Sequence, residues 1–246
     1  MWIGQATVRS ISTTSESTTS ALFLRFRRVS QGILWRAALC GFFLFHLLSR
    51  IMIQCKRKEG GAVQHKRRDL MEYVRDYTMY ASIFGMFSFV WFGWAQEKPK
   101  ASWRIYIGLA SAAALLVCLV GVYLSVKNWD APSALSDGTA FRNYLFTVYI
   151  ELFLAGAGAF VFYKLNRQNV VAPWIAFIVG IHFIGLQSVF DDPSLYLLAA
   201  LLVAVSILSI FISPKLQVAN SAIAGIGAGT VLFCFAVLGL IRYLSV

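Results

Sequence analysis

From Tyr77 to the end of the chain, apolar residues gather into six long runs separated by short polar stretches. The runs cover roughly 77–96, 105–126, 144–163, 171–190, 195–213 and 221–244. Each approaches or exceeds the ~20 residues a helix needs to cross the hydrocarbon core of a bilayer. In hydrocarbon every backbone amide must be satisfied within its own segment, which makes helices of such runs. The pattern predicts an all-α fold, a polytopic transmembrane bundle of six core helices.

Residues 1–70 differ in kind. Residues 1–30 are rich in Ser, Thr and Arg with a single acid, Glu16, a composition shared by transit peptides and disordered arms. An apolar segment from Gly32 to Ile53 follows, broken by Arg36, His46 and Arg50. Only thirteen residues separate the two arginines, too few to span unless both side chains snorkel. A mid-membrane Arg costs about 2.5–3.5 kcal/mol even on insertion scales. The segment is therefore either an extra transmembrane helix or an amphipathic helix lying on the membrane surface. A basic tract from Lys56 to Arg68 leads to Met71. A third reading is that residues 1–70 are not translated. Codons for Lys66-Arg67-Arg68 can contain AGGAG shortly before a Met71 start, and Lys58-Glu59-Gly60-Gly61 can encode AAGGAGG. The expected division is 1–70, a basic extension, and 71–246, the six-helix domain.

Composition agrees with a membrane protein. Hydrophobic residues make up 59% of the 246 and charged residues 13%, against about 25% charged in soluble domains. The net charge of +11 does not point to nucleic acid, because it is concentrated in one place. Twelve of the 22 basic residues precede Met71, and the remainder is close to neutral. A basic flank beside membrane helices meets anionic head groups. The lipid bilayer is thus the expected partner, with a second copy or another membrane protein as a further one, and no nucleic acid. Cys40, Cys55, Cys118 and Cys234 are far apart in sequence and form no metal or disulfide pattern. No cofactor and no metal site is expected.

Charge bias in short loops sets orientation. Lys98, Lys100, Arg104, Lys164, Arg167 and Lys215 fall on one side of the predicted core, and Arg75, Lys127, Arg142 and Arg242 on the other. The core by itself places both its ends outside a cytoplasmic membrane. The basic block 56–68 pulls the opposite way.

Several residues suggest how the helices pack. Trp91, Trp94, Trp103, Trp129 and Trp174 lie near helix ends, as aromatic anchors at head-group depth do. Gly225 and Gly229 form a GxxxG step, the spacing that lets helices approach closely. They serve either packing within the chain or pairing with another copy. Further small residues occur at Gly108 to Ala113 and at Ala155 to Ala159. Pro99, Pro132, Pro173 and Pro193 fall in loops or at helix starts, so no helix broken by proline is expected. The two halves show no inverted repeat.

Most charges sit at predicted helix ends, with Glu151 as the exception. His182 is the only histidine after residue 65. The two lie on consecutive antiparallel helices. Counting from the runs, each sits roughly 10–12 Å below the same face. An ionisable group at that depth is expensive and faces a partner or water, so Glu151 and His182 form the candidate intramembrane polar site. The pair is either structural or a proton or substrate site, and Thr147, Tyr149, Gln187, Ser188, Arg75 and Asp76 are candidates to extend it. HExxH, GxSxG, P-loop and CxxC motifs are absent, so an enzyme is the less supported class.

From Val179 the chain reads VGIHFIGLQSVFDDP. This resembles a family of small bacterial integral membrane proteins with about six helices, in which a Gly-x-His-Phe motif ends one helix and a Phe-x-x-Pro turn starts the next. The matching residues are Gly180, His182, Phe183, Phe190 and Pro193. The resemblance covers one hairpin and implies an architecture, not a reaction. Two functional classes follow from the residues. One is a small permease or proton-coupled carrier working through Glu151 and His182. The other is a membrane-embedded accessory protein that binds a partner helix. If residues 1–70 are not translated, the intact mass of the natively expressed protein corresponds to a start at Met71; a species retaining Met1 excludes this.

Overall fold

The computed structural model describes residues 74–245. The expectations for residues 1–70, including the Gly32–Ile53 segment, fall outside them. Six α-helices follow one another: α1 Val74–Ala95, α2 Arg104–Lys127, α3 Gly138–Lys164, α4 Val171–Phe190, α5 Ser194–Leu216 and α6 Asn220–Ser245. Short 3₁₀ turns at Ala101–Trp103, Ala134–Ser136 and Gln168–Val170 lead into α2, α3 and α4. Among the described residues there is no strand. Five helices, α2 to α6, are long and apolar enough to cross a membrane by length and composition. The chain is an all-α, multi-pass membrane bundle.

α1 is long enough but more polar, with Arg75, Asp76, Thr78, Ser82 and Ser88 all buried. It tolerates these groups because its neighbours sheathe it. It runs beside α6 along its whole length, from Tyr77 against Gly239 at one end to Ala95 against Gly225 at the other. It therefore reaches as deep as α6 does. Its hydroxyls donate mostly to backbone carbonyls: Thr78 to Arg75 at 2.8 Å, Ser82 to Met79 at 2.9 Å, and Ser88 across to Gly229 on α6 at 2.8 Å. On the other side Ser125 of α2 donates to Thr78 Oγ1 at 3.1 Å.

Small residues make these contacts possible. A Cβ on Gly225 would stand 2.7 Å from the Trp91 carbonyl oxygen, and one on Gly229 2.8 Å from the Phe92 ring. A Cβ on Gly85 would stand 2.8 Å from the Cys118 backbone nitrogen, and one on Gly121 would collide with the backbone of Ser82. Lipid tails are as apolar as leucine, so dispersion between close backbones holds the bundle where water would otherwise drive helices together. Gly225 and Gly229 are thus committed to packing inside the chain. Of the two readings, packing within the chain or pairing with another copy, the contacts of these two glycines are of the first kind: α1 covers them. Gly108, by contrast, has nothing within 4 Å of where a Cβ would be, and the α2 stripe that meets α1 is Ile107, Ala114, Gly121 and Ser125.

α4 and α5 pair through Gly180 against Val203 and through Ser206, whose hydroxyl donates to the Pro173 carbonyl at 2.6 Å. α5 joins α6 with Gly227 seated on Val205. The core where these helices meet α1 is aromatic. Phe84 packs edge-on against Phe183 of α4 at 5.6 Å and Phe235 of α6 at 6.4 Å. α2 and α3 lie at the margins. Ile105, Tyr106, Leu116, Tyr123, Phe146 and Phe153 project outward from them with most of their surface uncovered, an arrangement stable only where the surroundings are themselves apolar.

Three expectations change. α3 begins at Gly138, six residues earlier than its apolar run. Asp137 caps it by accepting from the Thr139 and Ala140 amides at 3.3 and 3.4 Å, and an apolar run cannot register a polar first turn. Pro214 lies inside the last turn of α5. It is tolerated there because the turn is ending: Gln217, at φ 55°, directs its own amide and that of Val218 back to the Pro214 and Ser213 carbonyls. Trp91 is no interface anchor. It is 5% exposed and stacks on Trp94 at 5.4 Å inside the bundle. Trp103 and Trp129 do sit at helix ends, beneath Lys100 and Arg75 at 5.4 and 4.7 Å.

The two kinds of glycine respond differently to a methyl group. Gly225→Ala lowers stability by about 1–3 kcal/mol through overpacking. Gly108→Ala, with space around it, changes stability by less than about 0.5 kcal/mol. Unfolding by SDS titration from mixed micelles measures both; equal effects would contradict the packing described.

Candidate functional site

α3 touches the rest of the bundle almost entirely through α4, along one narrow seam. Only Val148 on α3 is fully buried. The residues facing α4 recur at steps of three and four: Tyr144, Thr147, Glu151, Leu154, Gly158. On an α-helix that spacing forms a single stripe. Opposite them, in antiparallel register, stand Phe190, Gly185, His182 and Trp174. The Tyr144 and Phe190 rings are 6.4 Å apart, edge to face. A Cβ on Gly185 would touch the Thr147 methyl at 3.0 Å. At the far end the Trp174 indole lies on Gly158, where a Cβ would collide with it, and donates to the Leu154 carbonyl at 3.2 Å.

Glu151 and His182 meet at the middle of this seam. His182 Nδ1 lies 3.3 Å from Glu151 Oε2, and the two side chains are 8% and 18% exposed. The equal depth expected from the loop count is present, although α3 starts earlier and puts Glu151 near its own midpoint. The Thr147 backbone carbonyl also faces the imidazole. At 3.3 Å the pair is within ion-pair range but short of a completed hydrogen bond between Nδ1 and the carboxylate. A small rotation of either side chain would convert the contact into a hydrogen bond.

The chemistry of such a pair is proton exchange. With one proton between them the two groups are jointly neutral, whether it rests on the carboxyl or makes imidazolium and carboxylate. A second proton leaves a net positive charge, and removal of the first leaves a net negative one. Both charged states are unfavourable in hydrocarbon unless water or a counter-ion arrives. Protonation of the pair is thereby tied to access.

The residues expected to extend the site are dispersed. Thr147 adjoins the pair. Gln187 accepts from the Tyr196 hydroxyl at 2.9 Å, and Ser188 donates to the Gly185 carbonyl of its own helix at 2.8 Å. Tyr149 points outward. Arg75 and Asp76 sit at the start of α1 and engage the α2–α3 loop. The Arg75 guanidinium donates to the Trp129 carbonyl at 3.0 Å. The Asp76 carboxylate accepts from Ser133 Oγ at 2.6 Å and from the Ala134 amide at 2.8 Å. Sequence reasoning also missed the ion pair of Arg242 with Asp192 at 2.8 Å. Its one sequence signal was that both residues fall at the same end of the bundle. Among the described residues no three metal-ligating side chains cluster.

No protein-family model, no curated protein and no solved structure matches the chain. The motif resemblance of the α4–α5 hairpin stays one of motif alone. Phe190 does end α4 and Pro193 does open α5, with Asp191 left-handed at φ 51° between them, but His182 lies well inside α4 rather than at its end.

The pair can be tested for mutual dependence. Glu151→Leu or His182→Leu alone strands the other group in the seam and destabilises by about 1–3 kcal/mol. The double substitution costs less than either single, because both polar groups leave together. A double-mutant cycle by SDS titration measures the coupling, and strictly additive losses would show that the two side chains do not interact.

Proposed function

We propose that the protein is a small proton-coupled carrier of a cytoplasmic membrane, in which the Glu151–His182 pair takes up and releases the coupled proton. The observation that carries this reading is the meeting of one carboxyl and one imidazole at mid-helix, nearly buried and 3.3 Å apart without a completed hydrogen bond between them. A purely structural pair gains its place by completing its hydrogen bonds; this one has a bond left to make. The seam that holds it is also the least enclosed in the bundle, since α3 has little contact with other helices. An interface between two helices, one of them marginal, is where a conformational change can open a path at small cost in buried contacts.

A second reading, a membrane-embedded accessory protein, retains one supporting observation. Gly156 lies on the outward side of α3 with nothing within 4 Å of where its Cβ would be. Should a partner helix bind, that surface is where its backbone could come close, not Gly225 and Gly229, which α1 covers.

The carrier reading requires water to reach the seam and Glu151 to move protons. Protein in lipid vesicles with an imposed pH gradient is exposed in turn to amines, amino acids, sugars and carboxylates while internal pH is followed. One class dissipates the gradient with the wild type, and Glu151→Gln abolishes the effect while still inserting. If no class moves protons and a Thr147→Cys thiol never reacts with a water-soluble maleimide from either face, the reading is wrong.

A further inference from the structure

The two ends of the bundle are built differently. At one end lie the start of α1, the α2–α3 loop, the α4–α5 turn and the end of α6. Several polar bridges tie them together, among them Arg75 to the Trp129 carbonyl at 3.0 Å and Asn128 to the Tyr243 hydroxyl at 3.3 Å. Asp76 holds Ser133 and Ala134, fixing the loop that leads into α3. Arg242 holds Asp192, fixing the turn that ends α4, and its guanidinium lies over the Tyr77 ring of α1 at 5.7 Å. The opposite end carries Lys98, Lys100, Lys164, Arg167 and Lys215, and among the described residues no ion pair crosses it.

Between the bridged end and the Glu151–His182 pair lies an aromatic layer. Phe190, two residues before Asp192, packs edge-on against Tyr80 of α1 at 5.5 Å and against Tyr144 of α3 at 6.4 Å. Tyr144 precedes Glu151 by seven residues and Phe190 follows His182 by eight. At ~1.5 Å per residue the layer stands about 10–12 Å from the pair. The order along this half of the bundle is ion pair, aromatic layer, proton site. Asp192 and Phe190 belong to the same helix end, so releasing Arg242 frees the segment that carries the central ring of the layer.

We propose that Arg242 and Asp192 are the latch of a gate, with Phe190 as its plug, that closes this end of the path to Glu151 and His182. The inference rests on the carrier reading for its purpose but on its own contacts for its existence. The latch spans α6 and the α4–α5 turn. Opening moves the end of α4 away from Tyr80 and Tyr144, while the α1–α6 and α1–α2 contacts stay as they are. Asp192 also accepts from the Ser194 amide at 2.9 Å, a helix-start role that asparagine can keep, so the ion pair can be removed without removing the cap.

The test uses the full chain with Thr147→Cys and native Cys118 as its only thiols, in sealed vesicles, with an impermeant maleimide added to each face in turn. Asp192→Asn and Arg242→Gln each raise labelling at position 147 from one face only. A minor open state can gain roughly tenfold in population before it saturates, and that is the expected size. Arg242→Lys, which keeps the charge, stays near the parent rate. Labelling of Cys118, in the α1–α2 contact, does not change in any variant. The proposal is overturned if the rate at 147 is unaffected by both substitutions, if it rises equally from both faces, or if Cys118 rises with it. A gate without a carrier gives the one-sided response while no solute moves protons in the vesicle assay, which separates failure of the functional reading from failure of this one.

Discussion

The architecture depends on how closely α1 approaches its two neighbours. In a solvent of acyl chains, burying leucine gains little, and helices cohere through dispersion between backbones that can come near enough. α6 presents Gly225, Gly229 and Gly239 to α1, and α2 presents Ala114 and Gly121, while α1 answers with Gly85, Ala81 and Ala95. With side chains of ordinary size at these positions the backbones could not come so close. Because α1 is enclosed in this way, its hydroxyls and its first-turn charges need not meet lipid. They find carbonyls and a loop instead, which explains why the most polar of the six helices is also the most buried.

The tight and loose parts of the molecule follow from that arrangement. α1, α2 and α6 interlock through backbone proximity, which has few alternative arrangements. α3 hangs on α4 by a stripe of side chains, with one indole hydrogen bond at one end and an aromatic contact at the other. The polar pair lies between these two attachments. A buried polar contact is worth most as a device for specifying register, and it is weak as a source of stability. In the α3–α4 seam it aligns two otherwise slippery apolar surfaces. The proton-carrying role proposed for it would use the same contact, so the two roles do not compete.

Much of this was legible in the sequence, because the bilayer imposes a strong length rule. The α4 run matched its helix at both ends, and the other boundaries fell within a few residues except at α3. There Asp137-Gly138-Thr139 encodes a cap that hydropathy ignores. The meeting of Glu151 and His182 could be anticipated because a short loop forces equal depth on neighbouring helices, whatever their rotation. Rotation itself was not legible. Nothing in a GxxxG step states whether its face turns inward, and Gly225 and Gly229 are buried while Gly108 and Gly156 are open. Trp91 was misplaced for the same reason: depth put it near an interface, and rotation put it in the core. The Arg242–Asp192 pair was also out of reach, since its partners are fifty residues apart and meet only once α6 has returned to the starting end.

The distribution of charge gives the fold a direction. Cations at the end that holds the 97–104 and 164–170 loops have no ion-pair partners among the described residues, as suits groups that meet water and anionic head groups. At the other end Arg75, Asp76, Asp192 and Arg242 are engaged with one another's elements or with loop backbone. A bundle stabilised evenly from both sides would have no preferred place to open. In the proposed gate, the end closed by polar bridges would open by separating an ion pair, a cost that falls as water enters and screens the charges. Apolar packing offers no comparable release, because a dry contact regains nothing from water when it parts. An ion pair at a helix-turn end is thus a fastening that solvent itself can undo, and it stands on the same side of the Glu151–His182 pair as the aromatic layer it would have to move.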